Sequence, residues 1–320
     1  MRWPLCETLN EALTDRLALG GAALAAMMLV WASGVEASAG DGGDGAMMVG
    51  ERSPTPVEER VRTGYLEDEA VCGFWTERLL SALYHLVAGR PDMERVQGIP
   101  GVERVSFITK DARRLGGYKL RAHPDEGHQP RGYLLIAQGN AMLADQVAGE
   151  FRFLQADGFD VYVYDYRGYG ISEGRSRFFA IRSDYIEIIE QLNRAGYASR
   201  FLYGMSLGGV FMLNAIGAEV DHDAALIDSP PSRISSYGCP PQYDPVANLP
   251  EDGARLGFIF GHRDTVVPPG AWHELSEAAR ARGAVVHERE DLAHPLMDRD
   301  PSARRARFEL VRAFFAGRTR

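Results

Sequence analysis

The sequence contains few cysteines, with only Cys6, Cys72 and Cys239 among its 320 residues. They share no CxxC spacing and lie near no cluster of histidines, so the sequence indicates neither a zinc site nor a redox dithiol. We expect no metal and no cofactor. If the first residues are removed on export, as argued below, Cys72 and Cys239 remain, either joined as a disulfide or as two buried thiols.

The chain also lacks a basic stripe. Its 35 lysines and arginines are outnumbered by 44 aspartates and glutamates, and the formal net charge is −9. Attraction to a phosphate backbone is therefore a poor driving force, which argues against nucleic acid as a partner. Hydrophobic residues make up 45% of the chain, enough for a sizeable core. The length fits one domain of about 250 residues with an appendage.

Long apolar runs are absent except at residues 17–31, which carry no charge. Ala37, Ser38 and Ala39 follow, as in an A-x-A cleavage site, so we expect residues 1–39 to be a signal peptide of a periplasmic or secreted protein. The acidic residues before the run depart from the usual positive flank. The alternatives are an uncleaved membrane anchor, although about 15 apolar residues are few for a span, and a buried helix or misassigned start.

The next segments differ in composition. Residues 40–69 are rich in glycine and proline at their start and predict a flexible linker. Apolar residues recur at helical spacing over residues 70–87, which predicts an amphipathic helix that packs on the core or contacts a membrane surface. Two short runs, residues 103–108 and 118–121, predict a hairpin at the edge of a sheet.

Beyond residue 130, apolar runs of strand length alternate with segments of helix length. Continuous apolar strands between helices are typical of a parallel sheet covered on both faces, which places the chain in the α/β class. Ligands of such sheets bind at the carboxyl ends of the strands. The predicted strands cover residues 133–137, 161–164, 201–203, 224–227, 256–260 and 285–287, and the predicted helices cover residues 143–155, 179–195, 207–216, 271–282 and 303–316.

Gly204, Ser206 and Gly208 form a G-x-S-x-G pattern between a predicted strand and a predicted helix. A serine on such a tight turn needs glycine on both sides, because the backbone is strained and the strand and helix lie close together. The context therefore favours a nucleophile over an ordinary serine helix cap.

A serine nucleophile needs a histidine that accepts its proton and an acid that orients the histidine. The expected chain order is serine, acid, histidine. Asp264 and His294 each follow a predicted strand, at the edge of the sheet where Ser206 emerges. We predict that Asp264 is the acid and His294 the base.

Other residues compete for these roles. Asp228 ends an adjacent predicted strand and is the alternative acid, while His262 is the alternative base. Asp298 is expected to be a solvated cap or surface charge. The tetrahedral oxyanion needs two backbone N–H donors, for which we predict Leu207 and Asn140. The alternative is that residues 138–140 form only a turn.

Four stretches together, YVYDYRGYGISEG, LYGMSLGG, FIFGHRDTVVPP and LAHPLMD, resemble the alpha/beta-hydrolase superfamily. They are most similar to a lid-poor branch of serine aminopeptidase-like bacterial hydrolases and eukaryotic protein depalmitoylases. The resemblance runs from about residue 105 to residue 315. It implies an alpha/beta-hydrolase domain over residues 70–320, with a mostly parallel central sheet, helices on both faces and a minimal lid.

The resemblance also bears on single residues. The D-x-R-G-x-G-x-S pattern, here carried by Asp165, Arg167 and Ser172 among others, implies a structural loop held by the two charges near the site. One departure is Gln138, because relatives usually have His-Gly before the oxyanion donor, whereas Gln138 precedes Gly139 here. Residues 229–255, where lids usually lie, have no long helical pattern, which predicts an open site suited to acyl groups on larger carriers.

These features predict a serine hydrolase that cleaves an acyl ester or thioester through an acyl-enzyme intermediate. A peptidase that uses the same triad on amides is the nearest alternative. A non-catalytic binding protein on the same fold is the alternative from another class, because fold does not imply function. The amino-terminal segment could also associate the protein with a membrane.

Overall fold

The computed structural model describes residues 63–122 and 129–318. The predicted signal peptide or anchor, residues 1–39, lies outside the described residues, as does most of the predicted linker.

Eight strands form one sheet within the described residues. They are β1 Val102–Ile108, β2 Arg114–Leu120, β3 Gly132–Ala137, β4 Phe159–Tyr164, β5 Arg200–Met205, β6 Ala224–Asp228, β7 Leu256–Gly261 and β8 Val285–Arg289. Their order is β1-β2-β4-β3-β5-β6-β7-β8. The β1–β2 and β2–β4 pairs are antiparallel, and every other pair is parallel. Both the predicted edge hairpin and the predicted parallel sheet are confirmed.

Burial explains why the middle strands are continuously apolar. Every residue of β3, β4, β6 and β7 is buried, whereas the edge strand β8 is only half-buried. A strand covered on both faces has no solvent side on which polar residues could alternate with apolar ones.

Eight α-helices accompany the sheet in the described part of the chain. They are α1 Phe74–Val87, α2 Glu94–Gln97, α3 Ala144–Glu150, α4 Arg152–Ala156, α5 Phe178–Arg194, α6 Leu207–Gly217, α7 Pro269–Ala281 and α8 Pro301–Ala316. The core has two parts. One contains residues of α1, α5, α6 and α7, and the other contains residues of α2, α3, α4 and α8. Helices therefore cover both faces of the sheet. None of the helices described combines the length and apolar character needed to span a bilayer.

The predicted helix over residues 143–155 is two helices, because Phe151 leaves the helical conformation between α3 and α4. Its buried ring packs edge-on against Tyr203 of the sheet and Phe308 of α8. A sequence period cannot register such a break, since the apolar spacing continues on either side of it.

The carboxyl end of the predicted linker is part of the folded structure. Tyr65–Glu67 form a single helical turn, and the carboxylate of Glu67 is buried against the guanidinium groups of Arg113 and Arg167. The predicted helix over residues 70–87 begins only at Phe74. Residues 65–67 of the predicted linker therefore belong to the folded domain, because the charged side chain of Glu67 pairs with arginines that lie far away in the chain.

Residues 229–255 contain three single helical turns, at Ser235–Tyr237, Pro241–Tyr243 and Pro245–Asn248, and no long helix. This agrees with the predicted minimal lid. A disulfide joins Cys239 of this segment to Cys72, two residues before α1. The segment is thereby tied to the amino-terminal side of the domain, 167 residues away in sequence.

Candidate active site

Ser206 is the single residue between a strand and a helix, since β5 ends at Met205 and α6 begins at Leu207. Its backbone has φ 52° and ψ −118°, a strained conformation for any residue except glycine. The Ser206 amide donates a 2.7 Å hydrogen bond to the carbonyl of Asp228 at the end of β6. This geometry is that of the sharp strand-to-helix turn that exposes a nucleophilic serine above a parallel sheet.

Two glycines permit the turn because no space is left for a side chain at their positions. A methyl group on Gly204 would lie 2.7 Å from the carbonyl oxygen of Gly208, and one on Gly208 would lie 2.1 Å from the carbonyl oxygen of Ala137. The second contact is with the last residue of β3. Close packing at Gly208 therefore brings the loop after β3 against Ser206.

Asp264 and His294 are in direct contact. Oδ2 of Asp264 lies 2.7 Å from Nδ1 of His294, and both side chains are buried. The other carboxylate oxygen accepts hydrogen bonds of 2.8 Å from the amides of Val266 and Val267. With both oxygens bonded, the carboxylate is fixed in orientation and holds Nδ1, which leaves Nε2 for proton exchange with a serine.

Close packing of two neighbouring turns brings this pair together. Asp264 follows β7 and His294 follows β8, and the Arg263 amide donates a 3.0 Å hydrogen bond to the carbonyl of Leu292. A methyl group on Gly261 would lie 2.2 Å from that same carbonyl oxygen. Ser206, Asp264 and His294 therefore all lie at the carboxyl edge of the sheet. Their catalytic roles stay a prediction.

The alternative acid, Asp228, has other partners. Its Oδ1 accepts from Arg307 at 2.6 Å and from the Ser229 hydroxyl at 3.0 Å, and its Oδ2 accepts from the Tyr203 hydroxyl at 3.0 Å. The carboxylate is fully buried. These bonds direct it toward α8 and the sheet, whereas the carboxylate of Asp264 is the one that contacts the histidine.

Asp298 is buried, so the expectation of a solvated charge was wrong. Its Oδ2 lies 2.7 Å from Nε of Arg307, and its Oδ1 accepts a 2.7 Å hydrogen bond from the Ala293 amide. Arg307 also donates to the Ala293 carbonyl. Burial opposes ionisation of Arg307, but the carboxylates of Asp228 and Asp298 outweigh this effect and raise its pKa. The arginine and Asp298 thus hold both polar backbone groups of the residue before His294.

The alternative base, His262, contacts a different set of groups. Its Nε2 lies 3.7 Å from Glu288 and 3.8 Å from Glu290, and its ring meets the Trp272 ring edge-on. Its side chain is one-third exposed. This environment is that of a surface histidine beside two carboxylates.

The loop after β3 carries the predicted second oxyanion donor. A methyl group on Gly139 would lie 3.6 Å from Cβ of Ser206, so this loop borders Ser206. The next residue, Asn140, accepts a 2.7 Å hydrogen bond at its side-chain Oδ1 from the Tyr169 hydroxyl. The first predicted donor is the amide of Leu207, the first residue of α6. Both donors remain predictions.

The loop that follows β4 is held by the charges predicted to hold it. Asp165 accepts hydrogen bonds from the amides of Ala144 and Ile171, at 2.7 and 3.0 Å. Burial raises the pKa of Asp165 to about 6, although these two hydrogen bonds oppose the effect. Arg167 forms buried ion pairs with Asp111 and Asp184.

A family model described as serine aminopeptidase, S33, matches residues 128–251. Among curated proteins, the chain is similar to the uncharacterized protein YfhR of Escherichia coli K12, with 27% identity over 118 residues. That match covers 36% of this chain and 42% of the relative, so the chain spans less than half the length of the curated protein it matches.

The structure is similar to the esterase Pf2001 of Pyrococcus furiosus, with a TM-score of 0.55 and 16% identity over 72% of this chain and 97% of that one. It is also similar to an acylaminoacyl peptidase of Pyrococcus horikoshii, with a TM-score of 0.53 and 16% identity over 68% of this chain and 42% of that one. These likenesses show the fold. The chain has the alpha/beta-hydrolase fold.

In this alpha/beta-hydrolase fold, Gln138 stands where similar hydrolases usually have a histidine, at the start of the loop after β3. Its side-chain Nε2 donates a 3.0 Å hydrogen bond to the backbone carbonyl of Tyr164. Its backbone carbonyl accepts a hydrogen bond from the Tyr166 hydroxyl. The side chain is fully buried. Gln138 therefore ties the end of β3 to the residues after β4.

Two residues near the site had no predicted role. Tyr169 bonds Asn140 in the loop after β3, and Arg307 bonds the carbonyl of Ala293, next to His294. A signal for Arg307 was present, since it lies four residues from both Ala303 and Val311 in the buried stripe of α8. A charge in such a stripe needs buried partners. The signal for Tyr169 was weaker, because an aromatic residue in a loop is compatible with simple packing.

Proposed function

We propose that this alpha/beta-hydrolase is a serine hydrolase that cleaves an ester or thioester through an acyl-enzyme intermediate. The observation that supports the proposal most directly is the 2.7 Å contact between Asp264 and His294 at the sheet edge where Ser206 occupies its strained turn. An imidazole oriented by a buried carboxylate, at the same edge of a sheet as a serine on a strand-to-helix turn, is the arrangement that activates a hydroxyl.

In the proposed reaction, Ser206 Oγ attacks the acyl carbonyl carbon while His294 Nε2 accepts the hydroxyl proton. Asp264 stabilises the imidazolium, and the amides of Leu207 and Asn140 stabilise the oxyanion. Collapse of the tetrahedral intermediate expels the alcohol or thiol, which receives the proton from His294. Water, deprotonated by the same histidine, then attacks the acyl-enzyme, and the carboxylic acid leaves as Ser206 is restored.

The segment over residues 229–255 supports an acyl group carried on a larger molecule. It contains three short helical turns, is tied to Cys72 by a disulfide, and has no long helix that could cover the site. A site without such a cover suits a substrate that remains partly outside it. A protein that is periplasmic, secreted or anchored by its amino-terminal segment would meet such substrates outside the cytosol.

Amide hydrolysis is the second candidate function. The matching family model is described as a serine aminopeptidase, and one similar structure is an acylaminoacyl peptidase. The same triad cleaves amides when the leaving amine is positioned to take the proton.

Labelling with a fluorophosphonate probe, followed by a panel of acyl esters, acyl thioesters and amino-acid anilides, tests the proposal. We expect the label on Ser206, and faster turnover of esters or thioesters than of anilides. Ser206→Ala should abolish labelling and lower kcat by several orders of magnitude. Ser236→Ala is the matched control, because Ser236 is exposed and bonds only outside the site.

Faster turnover of anilides would favour the peptidase. A folded protein that takes no label and turns over no substrate would favour a binding protein on the same fold. Ser206→Ala with more than about a tenth of the wild-type kcat would contradict the nucleophile assignment.

A further inference from the structure

The Tyr169 hydroxyl lies 2.7 Å from the side-chain Oδ1 of Asn140, which it reaches across 29 residues of sequence. The Tyr169 side chain is 1% exposed. Burial raises the pKa of this phenol, so the hydroxyl keeps its proton and acts as the donor. The bond thus joins the loop after β4 to the loop that borders Ser206.

Tyr169 is itself held in place. Its ring stacks on that of Tyr84, with ring centroids 3.5 Å apart. The ring of Tyr166 packs against it edge-on, with centroids 5.5 Å apart. The Tyr84 hydroxyl accepts a hydrogen bond from the amide of Gly170. A ring with neighbours of this kind has no freedom to swing, so its hydroxyl presents a fixed donor to Asn140.

The loop after β3, which carries the proposed oxyanion donor Asn140, needs such an anchor. Ala141, the residue after Asn140, has φ 61°, which is strained for a residue with a side chain. On the other side, the carbonyl of Gln138 is bonded to the Tyr166 hydroxyl. Asn140 therefore lies between a residue in a strained conformation and a glycine that follows the carbonyl held by Tyr166, and its own side chain is bonded to Tyr169.

We propose that Tyr169 is a positioning residue for oxyanion stabilisation, which acts through the Asn140 side chain to hold the Asn140 backbone amide toward the developing charge. The inference rests on the proposed hydrolase function and adds a specific role to it. Tyr169 touches neither substrate nor nucleophile in this role. Its contribution is to the placement of a donor whose effect is largest in the transition state.

Tyr169→Phe tests the proposal, because it removes the hydroxyl and keeps the ring stack. Tyr133→Phe is a matched control: Tyr133 is also buried, and its hydroxyl donates a 2.9 Å bond to Oδ1 of another asparagine, Asn193, at the opposite end of the sheet. Loss of a whole oxyanion donor costs roughly 100- to 1000-fold in kcat. A misplaced donor should cost less, so we expect a loss of about 10- to 100-fold in kcat, with KM changed less than about twofold.

Two further readouts separate positioning from general weakening. Thermal unfolding should shift by similar amounts in Tyr169→Phe and Tyr133→Phe, while only Tyr169→Phe loses activity. In a double-mutant cycle, Tyr169→Phe should have little added effect in an Asn140→Ala background, because both changes break the same bond.

Wild-type activity in Tyr169→Phe, or independent, additive losses in the cycle, would overturn the positioning role while leaving the hydrolase proposal intact. The hydrolase proposal fails separately, if wild-type protein shows no labelling that depends on Ser206.

Discussion

Nη1 of Arg307 lies 2.6 Å from Oδ1 of Asp228, and the carbonyl of the same aspartate accepts the amide of Ser206. The arginine also bonds Asp298 and the carbonyl of Ala293, next to His294. One buried network therefore links the serine turn to the histidine loop. It also engages the aspartate that competes with Asp264 for the role of catalytic acid.

Because Asp228 and Asp264 have different partners, replacing each of them with asparagine should have different effects on activity and on stability. Asp264→Asn should lower kcat by roughly 10³- to 10⁴-fold, because the imidazole loses the partner that fixes its tautomer. Asp228→Asn should lower kcat by less than about tenfold but should destabilise the fold by about 3 kcal/mol, as expected when a buried ion pair is broken. Kinetics with chemical denaturation measures both, and circular dichroism checks folding. The reverse pattern would place the catalytic acid on β6.

Gly208→Ala should abolish activity and destabilise the protein by several kcal/mol, because the new methyl group would lie 2.1 Å from the carbonyl oxygen of Ala137. Gly270→Ala serves as the control, since a methyl group there meets no atom within 4 Å and the residue lies in α7. The control should be neutral or slightly stabilising. Thermal unfolding and ester hydrolysis report the outcome, and an active Gly208→Ala protein would contradict the close packing of the turn.

Loss of the Cys72–Cys239 disulfide should lower the free energy of unfolding by about 2–4 kcal/mol, because the unfolded chain gains the freedom of a loop of 167 residues. Cys72→Ser with Cys239→Ser should show this effect without added reductant. Addition of a reductant to this double variant is the control and should leave its stability unchanged. If a reductant leaves the unfolding of wild-type protein unchanged, the expectation fails.

Asp165 should make stability depend on pH in an unusual direction for an aspartate. Burial raises its pKa to about 6, and nearby Asp145 raises it further against the opposing amide hydrogen bonds. In the unfolded chain the pKa is about 3.9. Between the two values the folded state binds the extra proton, so this group contributes most stability below about pH 4 and loses the contribution as the pH rises through about 6.

Chemical denaturation from about pH 4 to pH 8, with Asp165→Asn as the reference that does not titrate, measures this contribution. We expect the free energy of unfolding of wild type relative to the variant to fall as the pH rises to about 7 and then to level off. A relative stability that increases with pH over this range would contradict the raised pKa.

The mature chain should begin near Gly40. Ala37, Ser38 and Ala39 follow the apolar run as a cleavage site does, and a disulfide is consistent with an oxidising compartment. Amino-terminal sequencing of protein from the native host, together with fractionation, checks this expectation. A chain that starts at Met1 in the cytosol would exclude it, whereas one that starts at Met1 in the membrane fraction would indicate an anchor.

Much of the fold could be predicted because its signals are local. Apolar runs of strand length between helical periods indicate a parallel sheet wherever the chain places them, and the glycines around Ser206 act on a turn of a few residues. The acid and base could be nominated for the same reason, since each follows the end of a strand, and all such ends of a parallel sheet meet at one edge.

What only the tertiary structure decided are contacts between segments far apart in the chain. Strand β4 lies between β2 and β3, and this order brings Tyr169 to Asn140. The packing of α8 buries Arg307 with Asp228 and Asp298, and their separation in the sequence gives no sign that these three charges are partners. A charge is solvated or paired according to what covers it, and the covering element is chosen by the packing of the whole chain rather than by the residues beside it.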